Sequence, residues 1–234
     1  MGGLIEAAMA NPWTALDRIV DGPLHPGGHE STEALLDRAG VGDGTCLVDA
    51  GCGPGDALAL AADRGATTVG IDRDPPDCGV RGDLASLPVR TGSVDVVLAE
   101  CVMCLVPDRT LAFDEVRRVL APGGRLALSD MVVADDVPPV PAPVAETLCL
   151  SQATDRDTFV RTIEQSGFAV EDVRDHRDDL LAMRDDIASK VDYEALLATM
   201  GERGQTLLDR IDSLERAVES GRISYISLVA HAES

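Results

Sequence analysis

Short apolar stretches recur through the first two-thirds of the chain, separated by stretches in which apolar positions return every three or four residues. Thr45–Ala50, Thr67–Asp72, Val94–Ala99 and Arg125–Met131 are each apolar and bounded by Gly, Asp or Pro, the pattern of buried strands. Between them, Ala57–Arg64 and Thr110–Leu120 carry helical spacing, and Ala121-Pro122-Gly123-Gly124 is a stop signal for the second helix. A short third strand is predicted near Gly79–Arg81. Strands that alternate with helices predict an α/β fold with a parallel sheet and crossover helices.

The pattern changes after the fifth strand. Val137-Pro138-Pro139-Val140-Pro141-Ala142-Pro143 is excluded from helix interiors and central strands by its prolines, which predicts a stiff, extended connection. Beyond it, Asp155–Gly167 reads as a helix, Ala169–Val173 as a strand, Asp178–Ser220 as a long helical insertion and Ile223–Ala230 as a closing strand. Leu207, Ile211, Leu214 and Val218 recur at helical spacing within the insertion. That stripe suits a packing face against the sheet, a lid or a dimer contact. Two regions are expected, an N-terminal helical cap over 1–42 and one main domain over 43–234, at a length suited to a single large core.

Charge narrows the function. Forty-one acidic against twenty basic residues leave a net charge of -21, a field that repels phosphate backbones and anionic membranes. Aromatic residues make up only 3%, too few for a base-stacking platform. Nucleic acid and membranes are therefore not expected as partners. No apolar run approaches the ~20 residues that span a bilayer, and Met1–Asn11 lacks the basic flank of a secretory signal. A cytoplasmic protein, monomer or homodimer, with six reduced cysteines is expected. Lys190 is the only lysine, and abundant Asp with Arg suits either a salt-loving habitat or a GC-rich genome.

The most specific motif is Leu47-Val48-Asp49-Ala50-Gly51-Cys52-Gly53-Pro54-Gly55-Asp56, a strand that runs into a glycine-rich turn before a helix. Glycines let such a turn approach a ligand closely. A dinucleotide fingerprint needs Gly or Ala where Asp56 stands, and the acidity of the loop further disfavours a pyrophosphate.

The motif resembles the first motif of class I S-adenosylmethionine-dependent methyltransferases, an acid followed by G-x-G-x-G, and the resemblance extends over most of the chain. It implies a Rossmann-like, doubly wound, mostly parallel seven-stranded sheet with helices on both faces and the helical insertion before the last strand. It also implies S-adenosylmethionine as cofactor. By the same resemblance Asp72, in Val69-Gly70-Ile71-Asp72, accepts hydrogen bonds from the ribose hydroxyls; Asp83 lies near the adenine amino group, with Leu84 beside the ring. Ser93–Glu100 matches the fourth strand and Leu120–Leu126 the turn into the fifth. The expected donor site is Asp49, Gly51, Gly53, Gly55, Asp72, Arg73, Asp83, Leu84 and Glu100.

The acceptor should face the segment after the fourth strand, because ligands of open α/β sheets sit beyond the carboxyl ends of the strands. That segment, Glu100-Cys101-Val102-Met103-Cys104-Leu105-Val106-Pro107-Asp108, together with Ser129-Asp130 and Glu146-Thr147-Leu148-Cys149-Leu150, is similar to the arsenite methyltransferases and their relatives. Cys149 falls where those enzymes carry an arsenic-binding thiol. The chain departs from the pattern by having no cysteine after Cys149 and by having Ala57 where some members carry another. Cys101, Cys104 and Cys149 are thus the expected catalytic set, holding a small-molecule acceptor such as trivalent arsenic, a soft centre that prefers thiolates.

Other readings stand beside this one. Cys101 and Cys104 also suit small core hydrophobes, and with Cys149 and His176 they would make a three-cysteine, one-histidine zinc set by residue type, although no metal is expected. Cys46 and Cys52 suit structural roles, Cys78 is a further candidate thiol ligand, and His25 and His29 suit surface or packing roles or a contact with substrate. The acceptor could instead be an organic oxygen, nitrogen or carbon nucleophile, or the chain could bind S-adenosylmethionine as a regulatory protein without turnover.

Overall fold

The apolar stretches become seven strands of one sheet, ordered β3-β2-β1-β4-β5-β7-β6. The computed structural model describes residues 20, 22–77, 79–137, 145 and 148–233. Trp13, Cys78, the proline-rich stretch 138–143 and residues 1–19 of the expected N-terminal cap lie outside the described residues. Chain order runs α1 (Gly28–Arg38), β1 (Cys46–Ala50), α2 (Asp56–Asp63), β2 (Thr67–Asp72), β3 (Val80–Arg81), β4 (Val94–Glu100), α3 (Arg109–Val119) and β5 (Leu120–Val133). It continues with α4 (Arg156–Gln165), β6 (Phe168–Asp175), α5 (Arg177–Lys190), α6 (Tyr193–Ala198), α7 (Glu202–Glu219) and β7 (Ile223–Ala232).

Strands β1 to β5 pair in parallel, and β7 lies antiparallel between β5 and β6. The order reverses between β1 and β4, the switch point at which the crossovers before and after it leave a crevice beyond the strand ends. Alternation along the strands divides the core. Val48, Val97, Ala99, Leu126, Leu128 and Leu228 face α3 and α4 through Phe113, Val116, Phe159 and Ile163. Leu47, Val96, Leu98, Ala127 and Val229 face α1 and α2 through Leu35, Leu36 and Ala61.

Helix α3 ends at Val119, and Asp108 caps its start by accepting from Leu111 N. The Ala121–Gly124 turn, however, is absorbed into β5 as a bulge: Val94 pairs with Leu120 and Val96 already with Arg125. Pro122 has no N–H to donate, so the ladder passes around it. The insertion is broken into α5, α6 and α7, with Gly201 before the last of these. Among the described residues no helix is long and apolar enough to cross a membrane.

Candidate functional site

The glycine turn sits at the switch point. Gly51, Gly53 and Gly55 have φ of 91°, 49° and 98°, the left-handed region open to glycine. Gly51 N and Cys52 N both donate to Ile71 O, at 2.7 and 3.2 Å, which ties the turn to the end of β2. A Cβ on Gly51 would lie 2.5 Å from Val102 Cγ2, whereas one on Gly53 would meet nothing within 4 Å. The turn is thus closed toward β4 and open outward, a cradle in which a ligand could approach the backbone.

Acids gather around this cradle because β1 lies between β2 and β4, and each carries one in its last two residues: Asp49, Asp72 and Glu100. Gly53 N donates to Asp72 Oδ2 at 3.0 Å, and Asp74 N to Asp72 Oδ1 at 2.9 Å. Each Asp72 oxygen therefore carries one internal bond and keeps lone-pair capacity for another donor. Asp49 is buried, and burial, followed by the charges of Glu100 and Asp72, pushes its carboxyl well above the usual carboxylate range. Such a site favours a cationic ligand. Asp83 accepts from Arg73 at 3.2 Å and from Ala85 N at 2.9 Å, while Leu84 is buried beside it.

Alternation places Asp49, Glu100, Ser129 and Tyr225 on the α1 face of neighbouring strands, and the last three form a polar chain. Tyr225 Oη donates to Ser129 Oγ at 2.6 Å, and Ser129 Oγ to Glu100 Oε1 at 3.3 Å. Thr32 Oγ1 of α1 donates to Glu100 Oε2 at 3.0 Å. His25 lies 3.3 Å from Thr32 Oγ1 and stacks on the Tyr225 ring. Sequence reasoning singled out neither Thr32 nor Tyr225; their only signal is the face each occupies. His29 is exposed, 3.7 Å from Asp56.

The three expected cysteines converge at the carboxyl end of β4. Their sulfurs all lie within 4.8 Å of one another, and Cys101 Sγ is 2.9 Å from Cys149 Sγ. Cys101 follows β4 directly, its N–H bonded to Ser129 O at 2.8 Å. Cys104 sits in the 3-10 turn Met103–Leu105, where its N–H donates to Asp130 Oδ2 at 2.8 Å. Hydrogen bonds from the Cys101 and Cys104 thiols lower Cys149 to about 5, making it a thiolate at neutral pH. The bonds to Cys101 and Cys149, then burial, push Cys104 up. At Cys101 the contact with Cys104 acts downward, but the bond to Cys149 and burial outweigh it. Burial, then the charge of Cys149, raises Asp130 to about 7.

His176 is not part of this group. Its Nδ1 meets Asp179 at 2.9 Å and its Nε2 meets Ser227 Oγ at 2.7 Å, so the three-cysteine, one-histidine zinc set does not form. Cys52 is buried behind the glycine turn, while Cys46 is exposed at the start of β1 rather than packed within it. Beside Cys101 and Cys149 opens an apolar cavity of about 350 Å³, walled by α5 and α7. Ile211, Leu214 and Val218 of the insertion stripe line it.

These features have relatives. A family described as a methyltransferase domain matches residues 48–128, from β1 into β5. The arsenite methyltransferase of Halobacterium salinarum is 38% identical over 91 residues, 37% of this chain and 23% of that protein. The structure of phosphoethanolamine N-methyltransferase 2 from Haemonchus contortus, in complex with S-adenosyl-L-methionine, shares the fold with a TM-score of 0.68 at 18% identity, covering 92% of this chain and 55% of that one. Methyltransferase GfsG of Streptomyces halstedii is 32% identical over 204 residues, 78% of this chain and 73% of that protein. Likeness of that extent, with the glycine turn at the switch point of the sheet, places the chain in the class I S-adenosylmethionine-dependent methyltransferases, the family to which it belongs.

Proposed function

We propose that this methyltransferase acts on a soft, thiophilic small molecule, trivalent arsenic foremost, held by Cys101, Cys104 and Cys149. The observation that carries the reading is the convergence of the three sulfurs within 4.8 Å at the end of β4. Membership of the family makes the chain an enzyme and sets aside the regulatory reading.

S-adenosylmethionine supplies an electrophilic methyl group on a sulfonium. The residues proposed to hold it are the open turn Gly51, Gly53 and Gly55, the acids Asp49 and Glu100 toward its positive charges, Asp72 for the ribose hydroxyls, Arg73 after β2, and Asp83 and Leu84 after β3. The cysteines take arsenite by exchange: three As–S bonds form, three As–O bonds break and three waters leave. Cys149 begins this as a thiolate; the other two thiols give their protons to two of the departing hydroxides, and the third hydroxide takes a proton from solvent. Burial of Cys104 and Cys149 excludes water from the acceptor. Fixing acceptor and donor face to face contributes effective molarities of ~10⁵ M or more, so alignment is the protein's main share of catalysis.

The test is transfer of labelled methyl groups to arsenite by Cys101→Ser, Cys104→Ser, Cys149→Ser and their double variants. A thiol set that acts as one unit loses about as much activity from one substitution as from two. Donor affinity measured by calorimetry should stay near the parent value. Arsenite turnover that survives all three substitutions refutes the reading. The apolar wall of the cavity then favours the second one, an organic oxygen, nitrogen or carbon nucleophile.

A further inference from the structure

Within the donor site proposed above, on which this inference rests, Glu100 is supported by residues far from it in the chain. Its side chain is 7% exposed and shares the end of the sheet with Asp49, whose titration its charge helps to raise. Like charges in a buried site repel, so an unsupported Glu100 would turn away from Asp49. Two hydroxyls hold it. Thr32 Oγ1 has one hydrogen and three polar neighbours: Glu100 Oε2 at 3.0 Å, His25 Nε2 at 3.3 Å and Gly28 O at 3.4 Å. The bond to the carboxylate is the shortest and is charge-assisted, so the hydrogen points at Glu100. On the other side Tyr225 Oη donates to Ser129 Oγ at 2.6 Å, which leaves the Ser129 hydrogen for Glu100 Oε1 at 3.3 Å. Burial pushes the Tyr225 phenol well above its ordinary value, so Oη keeps the proton it donates.

We propose that Thr32 and Tyr225 are positioning residues for the methyl donor, holding the Glu100 carboxylate toward the donor's positive charge from α1 on one side and from β7 on the other. Neither belongs to the glycine turn or to the strands β1, β2 and β4 that carry the acids. Each acts through Glu100: Thr32 directly, Tyr225 by fixing the Ser129 hydroxyl. A carboxylate oxygen accepts about two hydrogen bonds. Ser129 fills one place on Oε1 and Thr32 one on Oε2, so each oxygen keeps a place for the donor. Without the hydroxyls the carboxylate rotates more freely, and ordering it on binding costs affinity. That cost falls on a cationic ligand alone, because a nucleoside without positive charge makes no use of Glu100.

The test is calorimetry on the full chain without any acceptor, so its outcome is independent of the arsenic reading. The ligands are S-adenosylmethionine and methylthioadenosine, which has the same nucleoside but neither sulfonium nor ammonium. Glu100→Gln should weaken S-adenosylmethionine by more than about tenfold, the loss expected when a charged partner is removed. Thr32→Val and Tyr225→Phe should each weaken it about five- to tenfold, leave methylthioadenosine within about twofold, and add less than about twofold on the Glu100→Gln background. Thr32→Ser, which keeps the hydroxyl, should bind like the parent. Tyr225→Phe keeps the ring that packs against His25 and His176, and it carries the test if Thr32→Val does not fold. Equal weakening of both ligands, or a loss that persists in full on the Glu100→Gln background, overturns the positioning role. No effect of either substitution, with Glu100→Gln still weakening the donor, overturns it and leaves Glu100 in the donor site. Unchanged affinity in Glu100→Gln removes Glu100 from that site and overturns both.

Discussion

Cys101 and Cys149 have φ of 53° and 56°, and among the described residues they alone combine a side chain with a positive φ. The left-handed region costs such residues about 1–2 kcal/mol, and strain of this kind persists where the surrounding structure enforces it, often at functional sites. Here the bond from Cys101 N to Ser129 O holds one, and the Cys101 thiol, donating to Cys149 Sγ at 2.9 Å, links the other to it. The thiolate character of Cys149 gives a direct prediction. With a titration at about 5, its alkylation by iodoacetamide should be nearly independent of pH above about 6 and fall below that, since the thiolate is the nucleophile. Quenched reactions followed by peptide mass spectrometry provide the readout. A rate that instead rises steeply between pH 7 and pH 9 is the behaviour of an ordinary thiol and would remove the thiolate from the site.

At the scale of elements, the glycine turn and the segment after β4 are fitted to one another. Gly51→Ala adds a Cβ 2.5 Å from Val102 Cγ2 at a φ of 91°, combining a clash with left-handed strain. A loss of about 2–3 kcal/mol is expected in urea denaturation. Adding Val102→Ala should recover the share due to the clash and leave the share due to φ. If Gly51→Ala melts like the parent, the close approach of the turn to β4 is wrong. The turn itself is legible in the sequence, because three glycines after an apolar strand are a local signal. The partner Val102 is not, because it arrives from the next strand through a crossover. The insertion behaves similarly: its stripe is visible as periodicity, but only packing of α5 and α7 shows that Ile211, Leu214 and Val218 border the thiols.

For the whole molecule the dominant number is the net charge of -21. Arginines meet part of it in exposed pairs such as Arg64 with Asp37 and Arg174 with Asp172, each worth only about 0–1 kcal/mol. The remaining acids repel one another, and at about 1 M salt the screening length falls to about 3 Å. Thermal melts should therefore shift upward between low and molar salt, by several degrees. A midpoint that stays put would show that the acidity places no strain on the fold and would return it to codon usage.

What the amino-acid sequence determined alone were the features with short-range causes. Strand and helix periods, the glycine turn, the acid that closes β2 and the charge all follow from neighbours along the chain, so each is readable in place. The structure decided the rest, because it depends on distances across crossovers. It brought Cys149 onto Cys101, aligned Thr32, Glu100, Ser129 and Tyr225 into one polar chain, drew His176 to Ser227 instead of to the thiols, and enclosed an apolar cavity with an insertion that periodicity alone left open as packing face, lid or dimer contact. No local period encodes which residues of distant strand ends share a face at one end of a sheet; only the strand order and the packing of helices on it do.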